Sequence, residues 1–348
     1  MRILAIETSC DDTSIALVEA PDIKKFKKNR KALPGFLVHE QIISSQTAIH
    51  RHWGGVVPNL AKREHIKNLP KIWRQIKKNN KAEADLIAVT IGPGLEPALW
   101  AGIEFAKKLS KKLNIPLVGA NHLEGHLYSF LLQGEAIHFE FPAIVLLVSG
   151  GHTMLLLMQN MTHWEKLGET RDDAVGEAFD KVARMLALPY PGGPEIEKLV
   201  LSLPKKSRCG TINFPRPMMQ TKDYDFSFSG LKTAVLYYIK LLKVESDELK
   251  ADVAASFQAA AIDVLAQKTL RAVRGTGAKS IVLCGGVAAN KALREELQGI
   301  AEKTSAQFFA PAFEYNTDNA AMIGVAAYMQ LLKKKKKLPI EADGNLSL

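Results

Sequence analysis

A duplicated α/β architecture is predicted by three observations. Strands alternate with helices along most of the chain, a strand–polar turn–strand unit occurs twice, and glycine-rich turns follow several strands. The first such unit has strands at 2–6 and 14–18 around Thr8-Ser9-Cys10-Asp11-Asp12-Thr13, with a third strand at 36–43. The second has strands at 143–148 and 154–158 around Ser149-Gly150-Gly151-His152-Thr153. The two share a pattern rather than residues, which suggests an old duplication.

The remaining elements follow from apolar periodicity and turn residues. Helices at 65–78 and 97–113 alternate with strands at 86–91 and 116–119. After the second hairpin the chain is more helical, at 173–186, 195–201, 230–242 and 249–273. A strand at 280–283 runs into Gly285-Gly286, a helix starts near Asn290, and another runs from Asp318 to about 329.

At 348 residues the chain is long enough for two domains or one large unit with a divided core. No apolar run reaches the ~18–20 residues that span a bilayer, and Glu7 interrupts the first apolar run too early for a signal peptide. Cys10, Cys209 and Cys284 form no paired spacing, so a reducing cytoplasm is expected rather than a disulfide frame. The net charge of +10 is local: residues 24–31 carry six Lys/Arg and 333–337 five more. Removing those eleven from the 46 Lys and Arg leaves 35 against 36 Asp and Glu. Such runs are either solvated surface or contacts for a phosphate backbone.

Glycine turns stand at Gly92-Pro93-Gly94, Ser149-Gly150-Gly151, Pro191-Gly192-Gly193-Pro194 and Gly285-Gly286. Backbone amides of such turns cradle phosphates, and four of them beside two hairpins point to a nucleotide cleft between duplicated domains. No GxxxxGK[ST] run is present, which excludes a P-loop enzyme.

His122-Leu123-Glu124-Gly125-His126 places two imidazoles four residues apart on one helical face, where both reach a single metal ion. Asp318, almost two hundred residues later, is a candidate third ligand; read by itself it is an acid at a helix N-terminus. Two His and one carboxylate leave coordination positions open to a substrate. A metalloprotease is disfavoured. Its general-base Glu directly follows the first His, whereas Glu124 stands two positions on, about 200° around the helix from His122.

The chain resembles the bacterial tRNA N6-adenosine threonylcarbamoyltransferase family, formerly described as glycoproteases. The resemblance is carried by Glu7-Thr8-Ser9-Cys10-Asp11-Asp12-Thr13, Gly54-Gly55-Val56-Val57-Pro58, Gly92-Pro93-Gly94-Leu95 and residues 121–126. It continues through 148–153, Asp172-Asp173-Ala174, 176–181, 190–194, 226–233, Ala255-Ser256-Phe257-Gln258, 285–290 and 317–322. These blocks run in order from residue 3 to about 329, and their joint specificity is high although none suffices alone. Asn59 departs from the family's usual Glu, Asn316 replaces a common Cys, Glu96-Pro97-Ala98-Leu99-Trp100 is unusual, and the loop at 24–31 looks like an insertion.

The resemblance implies an α/β fold like that of actin, sugar kinases and Hsp70, duplicated into two lobes with a ligand cleft between them. The lobes expected from it are 1–120, with the helix at 318–330 packed back on it, and 121–317, with a helical insertion at about 173–250. Residues 331–348 are then a basic tail. It implies transfer of threonylcarbamoyl from threonylcarbamoyl-AMP to N6 of adenosine 37 in tRNAs reading codons that begin with A, with release of AMP. Position by position it implies His122, His126 and Asp318 as ligands of one Fe(2+) or Zn(2+). Leu147, Val148, Ser149, Gly150 and Gly151 match the substrate-binding turn, and Asp180, Gly193, Glu197 and Asn290 match further adenylate contacts. Asp11 or Asp12 is expected to orient the attacking amine or accept its proton. The implied partners are tRNA, a TsaB-like paralogue and a TsaE-like ATPase. Two other readings share the superfold, an ATPase or phosphotransferase and a noncatalytic scaffold of a tRNA-modification complex; the His122, His126 and Asp318 set argues against both.

Overall fold

A computed structural model of the chain describes residues 1–23, 33–79, 83–133, 138–242, 246–333 and 338–348. The basic run at 24–31 and residues 334–337 of the second run lie outside the described residues. Contacts between Cα atoms divide the chain into two compact units, Met1–Phe139 with Pro311–Leu348, and Glu140–Ala310.

The first unit is built on β1 (Arg2–Glu7), β2 (Asp12–Glu19), β3 (Leu37–Ser45), β4 (Leu86–Gly92) and β5 (Leu117–Asn121), in the order β3-β2-β1-β4-β5. β1 pairs antiparallel with β2, and β2 with β3; β1 pairs parallel with β4, and β4 with β5. The second sheet contains β6 (Ala143–Val148), β7 (Thr153–Asn160), β8 (His163–Glu169), β9 (Ser280–Cys284) and β10 (Gln307–Phe309), in the order β10-β9-β6-β7-β8. Its hairpins are antiparallel and its β6–β9 and β9–β10 pairs parallel. Substituting β6 to β10 for β1 to β5 reproduces both order and sense, so the repeat suggested by the two hairpins extends over both whole sheets. The central strands are apolar throughout, as parallel strands covered on both faces require: all seven residues of β4 and all six of β6 are buried. β8 and β10 are not among the expected strands. β8 mixes exposed charges with a single buried residue at the sheet edge, and β10 is only three residues long.

The helices of the first unit are α1 (Thr47–His50), α2 (Pro58–Asn79), α3 (Glu96–Leu113) and α4 (His122–Tyr128). α2 starts seven residues before the expected 65, because Pro58 as the first helical residue has no amide that needs an acceptor. The second unit contains α5 (Val175–Met185), α6 (Gly192–Ser202), α7 (Ser229–Leu242), α8 (Asp247–Thr276) and α9 (Lys291–Thr304). The last helix, α10 (Ala320–Lys333), returns to the first unit and packs on β1, β2, β5 and α4. Every side chain from Ala320 to Met329 is buried.

Two sequence expectations change here. The division falls between Phe139 and Glu140 rather than after 120, since α4 packs on β5 and α10 of the first unit. Residues 338–348 are no loose tail: Leu338, Ile340, Ala342 and Leu346 pack against the apolar core around Leu4, Ile6, Val89 and Ile91.

Gly285, which follows β9, has φ +92°, and a Cβ built on it would lie 2.3 Å from the Val148 carbonyl oxygen at the end of β6. Gly285→Ala is therefore expected to destabilise the chain by about 2–4 kcal/mol, from left-handed strain plus overpacking. Urea unfolding followed by circular dichroism checks this, and an unchanged midpoint would contradict the close approach.

Candidate functional site

α4 starts where β5 stops. Asn121 ends the strand and caps the helix, its Oδ1 accepting from the amides of Leu123 at 2.8 Å and Glu124 at 3.3 Å. His122 and His126 then fall on one face, their rings 4.7 Å apart and nearly perpendicular. Both Nε2 atoms face Asp318 Oδ1, at 3.4 Å from His122 and 3.2 Å from His126. One donor atom from each of the three residues lies within 4.8 Å of the others, and both histidines are buried. The capping expected of Asp318 falls instead to Asn319, whose Oδ1 accepts from the Met322 amide at 3.0 Å. That division leaves the Asp318 carboxylate for the histidines.

The donor set suits a divalent transition metal. Two imidazoles and one carboxylate converge, and His126 Nδ1 is a buried nitrogen with no hydrogen-bond partner among the described residues. Behind His122 stands Glu7, a residue that the sequence reading left out of the site. Its Oε2 takes His122 Nδ1 at 3.1 Å and the Thr90 hydroxyl at 2.6 Å, and its Oε1 accepts from the Ser9 amide. A carboxylate on the far nitrogen fixes the orientation of a ligating imidazole. The available signal was an acid ending a strand whose preceding four residues are wholly buried.

The electrostatics are those of a compact charge cluster. Burial alone would push His122 down, but Asp318 and then Glu7 outweigh it and carry the imidazole up to about 10. Burial would raise both carboxyls, and His122 instead holds Glu7 and Asp318 below the usual carboxylate range. His126 is pushed down by burial and by the neighbouring His122 charge. Glu124 belongs to another face, where its carboxylate pairs with Lys333 at 2.7 Å.

Asp11 ends the β1–β2 turn of the same unit, and Asp12 begins β2. Burial and the charge of Asp318 raise both, Asp12 to about 7. Buried His65 braces this turn. Its Nε2 donates to the Cys10 carbonyl at 3.0 Å, which leaves Nδ1 to accept from the Thr13 hydroxyl at 2.8 Å.

The other singled-out residues all lie in the second unit. Leu147 and Val148 end β6, buried, and Ser149-Gly150-Gly151 turns into β7. The turn is closed by Ser149 N to His152 O at 2.8 Å and His152 N to Ser149 Oγ at 3.1 Å. A Cβ on Gly150 or Gly151 would meet nothing within 4 Å, so their backbone faces open space. Asp180 Oδ1 accepts from the Gly192 amide at 2.7 Å, tying α5 to the turn that contains Gly193. Glu197 Oε1 accepts from the Lys291 amide at 2.7 Å. Asn290 caps α9 through Leu293 N at 3.0 Å and donates to Gln258 Oε1 at 2.8 Å. The Ser149 turn follows the C-terminal end of β6, and Asn290 comes shortly after that of β9; α/β sheets place their ligands at such strand ends.

The chain is similar to known proteins of one family. A family model described as tRNA N6-adenosine threonylcarbamoyltransferase matches residues 38–325. The proteins of that name from Thermosipho melanesiensis and Moorella thermoacetica are 48% and 47% identical to this chain. The first alignment covers 100% of both chains, the second 96% of this chain and 93% of the other. Among solved structures, full-length HypF in its phosphate- and nucleotide-bound form superposes with a TM-score of 0.59 at 13% identity, over 96% of this chain and 47% of HypF. HypF of T. kodakarensis gives 0.58 at 14% identity, over 95% and 47%. At that identity the likeness is one of fold, the duplicated α/β architecture. With the family model and the full-length relatives together, the chain belongs to the tRNA N6-adenosine threonylcarbamoyltransferase family.

Proposed function

We propose that this protein transfers the threonylcarbamoyl group from threonylcarbamoyl-AMP to N6 of adenosine 37 in tRNAs reading codons that begin with A, releasing AMP. The observation that carries the reading is the convergence of His122, His126 and Asp318, in a chain whose full length matches relatives named for this reaction. A bound Fe(2+) or Zn(2+) on those three residues would supply a Lewis acid. Glu7 holds the His122 ring in the orientation that turns Nε2 toward Asp318.

The second unit is assigned the adenylate. The amides of Ser149-Gly150-Gly151 suit the phosphate, with Leu147 and Val148 forming the strand end behind them. Asp180, Gly193, Glu197 and Asn290 are assigned to the nucleoside, where carboxylates and a side-chain amide match ribose hydroxyls and base edges. Asp12, with Asp11 beside it, is assigned the proton of the attacking amine. Burial holds the Asp12 carboxyl above the usual carboxylate range, which makes it a better proton acceptor than an exposed aspartate. The N6–carbon bond forms, the carbonyl–phosphate oxygen bond breaks, and the amine proton passes to Asp12.

The substrate tRNA, a TsaB-like paralogue and a TsaE-like ATPase are the proposed partners. The surface that supports a protein partner is a cavity of about 530 Å³ between α2 and α3, apolar along Ile66, Leu69, Trp73, Trp100 and Phe105 and edged by Lys62, Lys108 and Lys112.

Purified protein mixed with tRNA, threonylcarbamoyl-AMP and the partner proteins is expected to yield threonylcarbamoyladenosine, detected by mass spectrometry of digested tRNA. ATP turnover without the modified nucleoside would overturn the reading. His126→Ala is expected to abolish both bound metal and transfer while circular dichroism stays native. Glu7→Gln is expected to weaken metal binding roughly 10–100-fold, the usual cost of losing a carboxylate behind a ligating imidazole; wild-type affinity would remove Glu7 from the site. The proton on His122 gives a pH signature. With the imidazole at about 10 in the free protein, metal must displace one proton at neutral pH. Affinity should rise about tenfold per pH unit from 7 to 9, and calorimetry in buffers of different ionisation enthalpy should count one proton released.

A further inference from the structure

We propose that residues 338–348 form a strap that positions the metal helix α4, with Asn121 as the positioning residue through which it acts. The inference rests on the metal-centre reading given above. α4 is gripped at two points. At the end of α10, Lys333 Nζ pairs with Glu124 Oε1 at 2.7 Å and lies 5.3 Å over the Tyr128 ring; the lysine and glutamate side chains are only 2% and 14% exposed. From the strap, the Ser347 carbonyl accepts from Asn121 Nδ2 at 2.8 Å. Asn121 thus uses both ends of one amide. Nδ2 holds the strap, and Oδ1 holds the first amides of the helix that begins with His122.

The strap is itself built into the first unit, which is what allows it to position anything. Asp343 N donates to the Ile91 carbonyl at 2.8 Å, and Gly94 N donates to the Gly344 carbonyl at 3.2 Å. Gly92 has no side chain where one is impossible: a Cβ there would lie 1.9 Å from the Asp343 carbonyl oxygen. Leu338, Ile340 and Leu346 anchor the segment in the apolar core. Between the two grips α4 rests directly on α10, where a Cβ on Gly125 would stand 3.0 Å from Met322 Cγ. A seven-residue helix has too few internal hydrogen bonds to hold its own place. Its orientation, and so the meeting of His122 and His126 with Asp318, is set by these outside contacts.

Asn121→Asp tests this, because it keeps an oxygen to cap α4 and replaces the donor to Ser347 with an acceptor, which turns that contact from a hydrogen bond into a repulsion. A cap carboxylate favours the helix and attracts a cation, so a role confined to helix stability or to charge leaves zinc binding equal or tighter. The strap predicts the opposite, zinc affinity lowered roughly three- to tenfold in chelator competition, the worth of one hydrogen bond. Deletion of residues 347–348, which removes the Ser347 carbonyl and leaves Leu346 in the core, is expected to give a loss of similar size, and the double variant no more than either alone, since both remove the same hydrogen bond. Zinc affinity equal to wild type in Asn121→Asp, or losses that multiply in the double variant, would overturn the strap even where the deletion lowers stability. A wild-type chain that takes up no zinc or iron would instead overturn the metal centre itself, and the strap's role with it.

Discussion

The charge cluster of Glu7, His122 and Asp318 is the constraint around which the first unit is arranged. Two carboxylates and an imidazole cannot be taken out of water separately without a penalty of several kcal/mol each. Held together, with Thr90 and Ser9 completing the hydrogen bonds of Glu7, they compensate one another. The three residues come from the end of β1, the start of α4 and the approach to α10. Those elements must therefore meet at one point, and after Ala310 the chain must return to the first unit to bring α10 there. The buried face of α10 and the apolar contacts of residues 338–348 hold that return in place.

The duplication makes a division of chemistry visible. The turn between β1 and β2 and the turn between β6 and β7 occupy equivalent places in sheets of the same order and sense. One leads through Asp11 into Asp12 at the start of β2, both half-buried and raised by that burial and by the charge of Asp318. The other holds Gly150 and Gly151, with open backbone. A repeated scaffold thus presents acids in one copy and bare amides in the other, suited to a proton and to a phosphate respectively. That contrast is a property of side chains alone, since the backbone frame is common to both.

Much of this was legible in the sequence where a local rule applies. The central strands were found by their continuous apolar runs, and the histidine pair by its spacing of four. Exclusion of a protease followed from the angle of Glu124, which in the structure turns to Lys333. What escaped was set by tertiary contacts. Asp318 has no spacing rule that links it to a helix almost two hundred residues earlier, so only the family resemblance placed it. Glu7 read as the polar end of a strand because its partners, Thr90 and His122, come from other elements. β8 reads as charged surface, and Leu338, Ile340 and Leu346 are too few and too close to a lysine run to register as core.

The return of α10 also fixes an order of assembly. The first unit is interrupted by Glu140–Ala310, and Asp318 and α10 are made only after that stretch. At ordinary synthesis rates the intervening stretch takes on the order of 10–30 s to emerge. Throughout that interval the faces of β1, β2 and β5 that α10 covers have no covering helix from their own chain. His122 and His126 meanwhile lack their carboxylate. A truncated product ending before Pro311 would contain Glu7 and both histidines yet lack Asp318, leaving buried His122 with one carboxylate partner in place of two.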